Sequence, residues 1–318
     1  METEKIVTAC VAPATKLIDA VTAAIGKAYE PRYVRKMADA RAYEIKMRGD
    51  EIRNNSDLPI VFDSKGSYSI DTSDYDSLVK RTGKRIAYQE VVKQENIETI
   101  VDQAYDSIKD IKTGGEGEIS KEWMNRFINF AGDISTESMQ ELWSKVLAGE
   151  VVQPRSFSLR TLDCLRNMDT YDARLFETVC TLIIDNKFII NDDEFLNERG
   201  ITYNSILELD ESGLLNSLGT ISSERSVGTK QKVIFDFGEY ILLGKAKEKE
   251  SKIFIQEYPL TRVGCEISKI ASVKHDIEVI KQICARFTQT HKEIQFALHR
   301  VTSRNGDEIQ FDISVIEL

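Results

Sequence analysis

Residues 133–176 read DISTESMQELWSKVLAGEVVQPRSFSLRTLDCLRNMDTYDARLF, and the caps, breaks and apolar spacing in this stretch decide the fold. Ser135 is placed to cap a helix whose apolar residues Met139, Leu142, Trp143, Val146 and Leu147 recur at i, i+3, i+4, i+7 and i+8, with Gly149 as its stop. Pro154 breaks the chain. Ser158 then caps a second helix carrying Leu159, Leu162 and Leu165, and Asp169 with Asp172 opens a third through Ala173, Phe176, Val179 and Cys180. Three short amphipathic helices joined by polar turns predict a helical module over 113–185. The loop between the first two gathers Glu150, Arg155, Ser156, Ser158, Arg160 and Thr161. Two roles fit that cluster. One is a structural clamp in which Arg160 holds Glu150 or the last carbonyls of the first helix; the other is a ligand-binding joint on a rigid support.

The runs Leu142–Glu150 (LWSKVLAGE), Pro154–Leu162 (PRSFSLRTL) and Met168–Phe176 (MDTYDARLF) together resemble the signature of a bacterial domain family of unknown function. More distantly the chain is similar to the abortive-infection alpha proteins associated with phage defence. The resemblance extends to Gly26–Ala42 and Lys84–Ala104. It implies a setting, phage defence, and carries no catalytic residue with it.

The chain has 318 residues, a formal charge of −10 and 30% charged residues, enough length for several domains and a balance that argues against a general nucleic-acid surface. Cys10, Cys164, Cys180, Cys265 and Cys284 are dispersed and odd in number, so free thiols in a reducing cytoplasm are expected. The opening METEKIVTAC lacks the basic segment of a secretion signal. No H-E-x-x-H, G-x-S-x-G, P-loop or dinucleotide fingerprint occurs, and Gly114-Gly-Glu-Gly117 lacks the G-K-[ST] ending of a phosphate loop. His275, His291 and His299 match no zinc spacing and read as ordinary surface residues. Asp192-Asp193-Glu194 reads as a solvated acidic run. No cofactor, metal or catalytic residue is assigned, although a nuclease-like centre assembled from distant segments needs no local motif.

Before the central module, Val7, Val11, Ile18, Val21 and Ile25 alternate four and three apart, the spacing of a seam against another helix, with Pro13 at its start or kink. Lys16 and Asp19 disfavour a membrane span there, since each costs ~2.5–3.5 kcal/mol at the bilayer centre. The seam predicts a homo-oligomer, with membrane-surface binding as its alternative. A second helix is predicted from Pro31 to Arg53, whose side Arg32, Arg35, Lys36 and Arg41 is either a solvated face or a site for phosphate or an acidic partner. Residues 54–77 read as a flexible linker within a helical region spanning 1–112, and helix returns from Ser77 to Lys112 and from Ile119 to Gly132.

Within 186–271, the helix Ile201–Leu215 precedes two β-prone runs, Ser217–Ser222 and Lys232–Leu243, that read as a hairpin, with Leu260–Ile270 as a closing helix. That order resembles a winged helix. Residues 272–318 read as a helix to Thr290 and a hairpin, Glu293–Val301 with Glu308–Ile316, turned by Asn305-Gly306. The predicted class is mainly α with a smaller β component. The function expected is non-catalytic protein interaction in the bacterial cytoplasm, with a phage component as a candidate partner. A winged-helix DNA regulator and a membrane-active effector at the inner membrane are the competing readings. Because Ile201–Leu215 carries Glu208, Asp210 and Glu211 and no Lys or Arg, duplex DNA is not the expected partner.

Overall fold

The computed structural model of the chain describes residues 12–25, 73–217, 221–228, 232–247, 250–271, 273, 275–305, 308–312 and 314–316. The helix expected over Pro31–Arg53, with Arg32, Arg35, Lys36 and Arg41, lies outside them, as do Val7, Val11, Cys10 and most of the linker near 54–77. The chain is α+β, as its patterning predicts, and divides into two units, Met1–Pro154 and Arg155–Leu318.

The first unit is helical: α1 (Pro13–Ile25), α2 (Ser73–Ile108), α3 (Lys121–Ala131) and α4 (Glu137–Val152). Pro13 sits at the first helical position, where its missing N–H costs nothing. Of the predicted seam, Val21 is fully buried and Ile18 and Ile25 are half-buried; Leu17, outside the seam, is fully buried as well, and α1 packs on α2, α3 and α4. Among the described residues α2 is packed through Ile97, Ile100, Val101, Ala104 and Ile108 in its C-terminal part, while Leu78, Val79, Ile86 and Tyr88 are exposed. The centre is aromatic, with Phe127 at 5.2 Å from both Trp123 and Trp143 between ring centroids. Two expectations for α4 are corrected. Its N-cap is Thr136 instead of Ser135, and the helix runs through Gly149 to Val152, because burying Val151 favours another turn over a glycine stop.

The second unit holds α5 (Leu159–Asn167), α6 (Thr170–Cys180), β1 (Phe188–Ile190), α7 (Asp193–Asn197), α8 (Tyr203–Glu211), β2 (Ile221–Val227), β3 (Val233–Asp236), β4 (Tyr240–Ala246), β5 (Ser251–Pro259), α9 (Arg262–Ser268), α10 (Ile277–Thr290), β6 (Ile294–Asn305) and β7 (Glu308–Phe311). The strands form two antiparallel sheets, in the orders β1-β5-β2 and β3-β4-β6-β7. The capping box expected at α6 is present, Asp169 accepting from the Asp172 amide at 2.9 Å and Asp172 from the Asp169 amide at 3.2 Å. The C-terminal hairpin is present as β6 and β7.

The expected pairing of Ser217–Ser222 with Lys232–Leu243 does not form. Asp236 accepts the Gly238 N–H at 2.8 Å and Gly238 adopts φ +77°, a turn that folds the second run onto itself as β3 and β4. β2 pairs instead with β5, from Ile221 opposite Glu257 to Val227 opposite Ser251. A salt bridge braces this region: Arg225 donates to Asp185 at 2.6 Å and to the Ile234 carbonyl at 3.2 Å, with its guanidinium 4.5 Å from the Phe235 ring centre. α10 packs on the second sheet through Phe287, which meets Phe235 at 5.0 Å and Phe296 at 6.1 Å.

Candidate functional site

Among the signature residues, Glu150 is buried in α4 of the first unit. Arg155, Ser158, Arg160 and Thr161 open the second unit. Arg155 is exposed and holds a left-handed φ of +73°, a conformation that strains a side chain bearing a Cβ. Arg160 points out from the first turn of α5 and is exposed. Ser158 is the N-cap of α5, yet its hydroxyl does not bond the helix backbone; it meets the Thr161 hydroxyl at 3.1 Å.

The capping is done by Glu266, 105 residues away along the chain from Thr161. Its buried carboxylate accepts the Ser158 N–H at 2.6 Å and the Thr161 hydroxyl at 2.5 Å through one oxygen, and Arg262 at 2.7 Å through the other. A carboxylate over a helix N-terminus satisfies orphan donors and the positive end of the helix dipole together. Burial by itself would raise the Glu266 carboxyl, but the bonds from Thr161, the Ser158 amide and Arg262 outweigh it and hold it below the ordinary glutamate value. All its close polar neighbours are engaged with one another, so Ser158 and Thr161 belong to a clamp that ties α5 to α9.

A surface of different character lies on α6, α7 and α8. Asp192 caps α7, accepting the Phe195 amide at 2.9 Å, and is held by Arg286 at 2.7 Å. Burial raises its carboxyl, and the Phe195 amide and Arg286 overcome that to bring it below the usual aspartate range. The chain then turns at Gly200, φ +74°, and Thr202 with Ser205 forms the capping box of α8. Between α7 and α8 opens a cavity of about 300 Å³. Its floor is Leu196, Ile201 and Ile206, all buried, and its rim is Asp193, Asn197, Thr202, Tyr203 and Asn204. Tyr203 is 68% exposed. The side chains of Asp193, Asn197, Tyr203 and Asn204 make no hydrogen bond among the described residues, whereas the nearby cation Arg199 is already used, stacked 3.7 Å over the Phe195 ring and bonded to the Phe195 carbonyl and Gln282. Farther along the face, the exposed Tyr171 donates to Glu208 at 3.3 Å.

The histidines are not surface residues as expected. His291 and His299 are buried, and His275 is within 2.9 Å of the Ile183 carbonyl and edge-on to Phe237. Burial pushes the Cys164 thiol up to about 11, with Asp172 adding to it, and Cys284 up to about 12. Among the described residues no three His, Cys, Asp or Glu side chains converge as metal ligands would, and no helix is long and apolar enough to cross a membrane. A family model described as "Protein of unknown function (DUF2806)" matches residues 80–284, which include the three signature runs and both faces described above. No curated protein and no solved structure matches the chain.

Proposed function

Because the chain belongs to the DUF2806 family, whose description names no activity, we propose from its own geometry that it acts without catalysis, by binding protein through the face built on α6, α7 and α8. The carrying observation is the charge of α8. The run α6–β1–α7–α8–β2, with β5 returning after β3 and β4 to close a β1-β5-β2 sheet, supports a winged-helix-like reading in which α8 takes the place of the helix that enters the major groove. That helix bears Glu208, Asp210 and Glu211 and no Lys or Arg, and from Asp169 to Asn216 eleven acidic residues face three basic ones. Duplex DNA carries one negative charge per ~1.7 Å, so this face repels it. A protein surface is the partner that such a helix can meet without that cost.

The burial of Val21 inside the first unit counts against it as a dimer contact, and the half-buried Ile18 and Ile25 leave the rest of the described seam available to a second copy. The resemblance to abortive-infection alpha proteins gives the proposal its setting, a cytoplasmic protein of phage defence whose partner belongs to the phage or the host. A mobility-shift assay of the full chain on mixed-sequence duplex at near-physiological salt tests the molecular claim. Weak, unselective binding that fades with salt is expected, and submicromolar, sequence-selective binding overturns it in favour of a DNA regulator. Phage challenge of cells with and without the gene tests the setting, with unchanged plaque counts as the contrary result.

A further inference from the structure

Resting on the protein-binding reading of this face, we infer that the α7–α8 cavity is a receptor for an arginine or lysine side chain, presented by a basic segment of a partner protein. The cavity pairs the two chemistries that a long cationic side chain needs. Leu196, Ile201 and Ile206 offer buried apolar surface for the methylene stem, and Asp193 with the ring of Tyr203 stands at the mouth for the charged head. The head meets a carboxylate that no cation of the chain neutralises among the described residues, because Arg199 and Arg286 are both committed to Phe195 and its neighbours. Burial raises the hydroxyl of Tyr258 on β5, and Asp193 and Tyr203 push it the same way.

Charge complementarity extends beyond the mouth. Glu194 on α7, Glu198 at its end, and Glu208 and Glu211 on α8 are all exposed, so a segment with several cations is drawn to these two helices. A nucleic acid or an anionic lipid surface would meet the same carboxylates as a like charge. Polar rim and apolar floor make the site selective for a cation on an apolar stem over a bare inorganic cation.

The test is fluorescence anisotropy of the full chain with a labelled alternating Arg–Ala peptide at near-physiological salt, alongside the same peptide carrying citrulline for arginine. Saturable binding of the arginine peptide and none of the citrulline peptide is expected. Asp193→Asn and Tyr203→Ala should each weaken it at least ten-fold, and both sites are exposed enough to leave the melting temperature unchanged. Glu224→Gln, the same charge change on β2, should leave the affinity within two-fold. No saturable binding, or equal losses in Asp193→Asn and Glu224→Gln, overturns the inference. Either of those failures leaves the protein-binding reading intact, since that reading falls only to selective DNA binding.

Discussion

Replacing Glu266 tests how the signature loop is held. Glu266→Ala strands the Ser158 amide and the Thr161 hydroxyl, both of which donate to a buried carboxylate at 2.6 and 2.5 Å. Hydrogen bonds to a charged acceptor contribute about 1.5–3 kcal/mol each. The third bond adds little, because Arg262 is 73% exposed and an exposed i,i+4 pair is worth about 0.3–0.5 kcal/mol. The sum is about 3–6 kcal/mol, which at roughly 2–4 °C per kcal/mol for a domain of this size lowers Tm by about 7–25 °C. Glu266→Gln keeps the shape but turns an amide toward two donors, and should lose about half as much. Acid titration adds a sign. A carboxyl held below its ordinary value stabilises the fold fully above its unfolded pKa, and that contribution is lost as pH falls through the lowered folded value. Thermal melts of the wild type and Glu266→Gln should therefore converge as the solution is made acidic. A Glu266→Ala variant that melts within a degree or two of wild type, or a gap to Glu266→Gln that stays constant with pH, refutes the clamp.

Trp143 is fully buried, and Trp143→Ala should cost about 3–5 kcal/mol by chemical denaturation. Because Trp143 Nε1 meets no acceptor among the described residues, Trp143→Phe should recover a large part of that loss; equal losses would show that a hidden polar partner matters more than volume. The buried thiol of Cys284, raised to about 12, should resist a thiol-reactive dye in the native state near neutral pH and react on unfolding, and the half-buried Cys164, raised to about 11, should react slowly; fast native labelling at Cys284 would contradict its burial. Burial, only partly offset by the Ile183 carbonyl, Asp236 and Glu239, depresses His275, so its share of stability is intact above the unfolded histidine value and falls as pH drops below it. His275→Gln should flatten the Tm profile in that mildly acidic window; an unchanged profile removes His275 as its cause.

Where a signal was local, the sequence carried it. The α6 capping box needs only Asp169 and Asp172, three residues apart, and the β6–β7 hairpin only an Asn-Gly turn between alternating strands. Long-range choices left weaker marks. Alternation identified Lys232–Leu243 as β but not its partner, and β5 showed the same period of two, with Ile253 and Ile255 buried between exposed Lys252, Phe254 and Gln256. Glu266 was hidden as a capping group because a carboxylate over a helix terminus can come from any distance in sequence. Arg160, two residues beyond the Ser158 cap, was the local candidate for a clamp on Glu150 or the last carbonyls of α4, whereas the clamp on Ser158 and Thr161 at the start of α5 needs an acceptor and takes it from Glu266 on α9. The acidity of α8 was legible at once; the cavity beside it was not, since Leu196, Ile201 and Ile206 look like any core residues until α7 and α8 are placed.

The most direct measurement puts a photo-crosslinking phenylalanine analogue in place of Tyr203 in the full chain, irradiates living cells during phage infection, and digests the product with protease or nuclease. Tyr203 stands at the mouth of the cavity and at the start of α8, so whatever meets this face is within reach. The expected result is a crosslinked species that protease removes and nuclease leaves unchanged, and that disappears when Asp193→Asn is added. A nuclease-sensitive product, or no product at position 203 when the same analogue at another exposed position gives one, would contradict it.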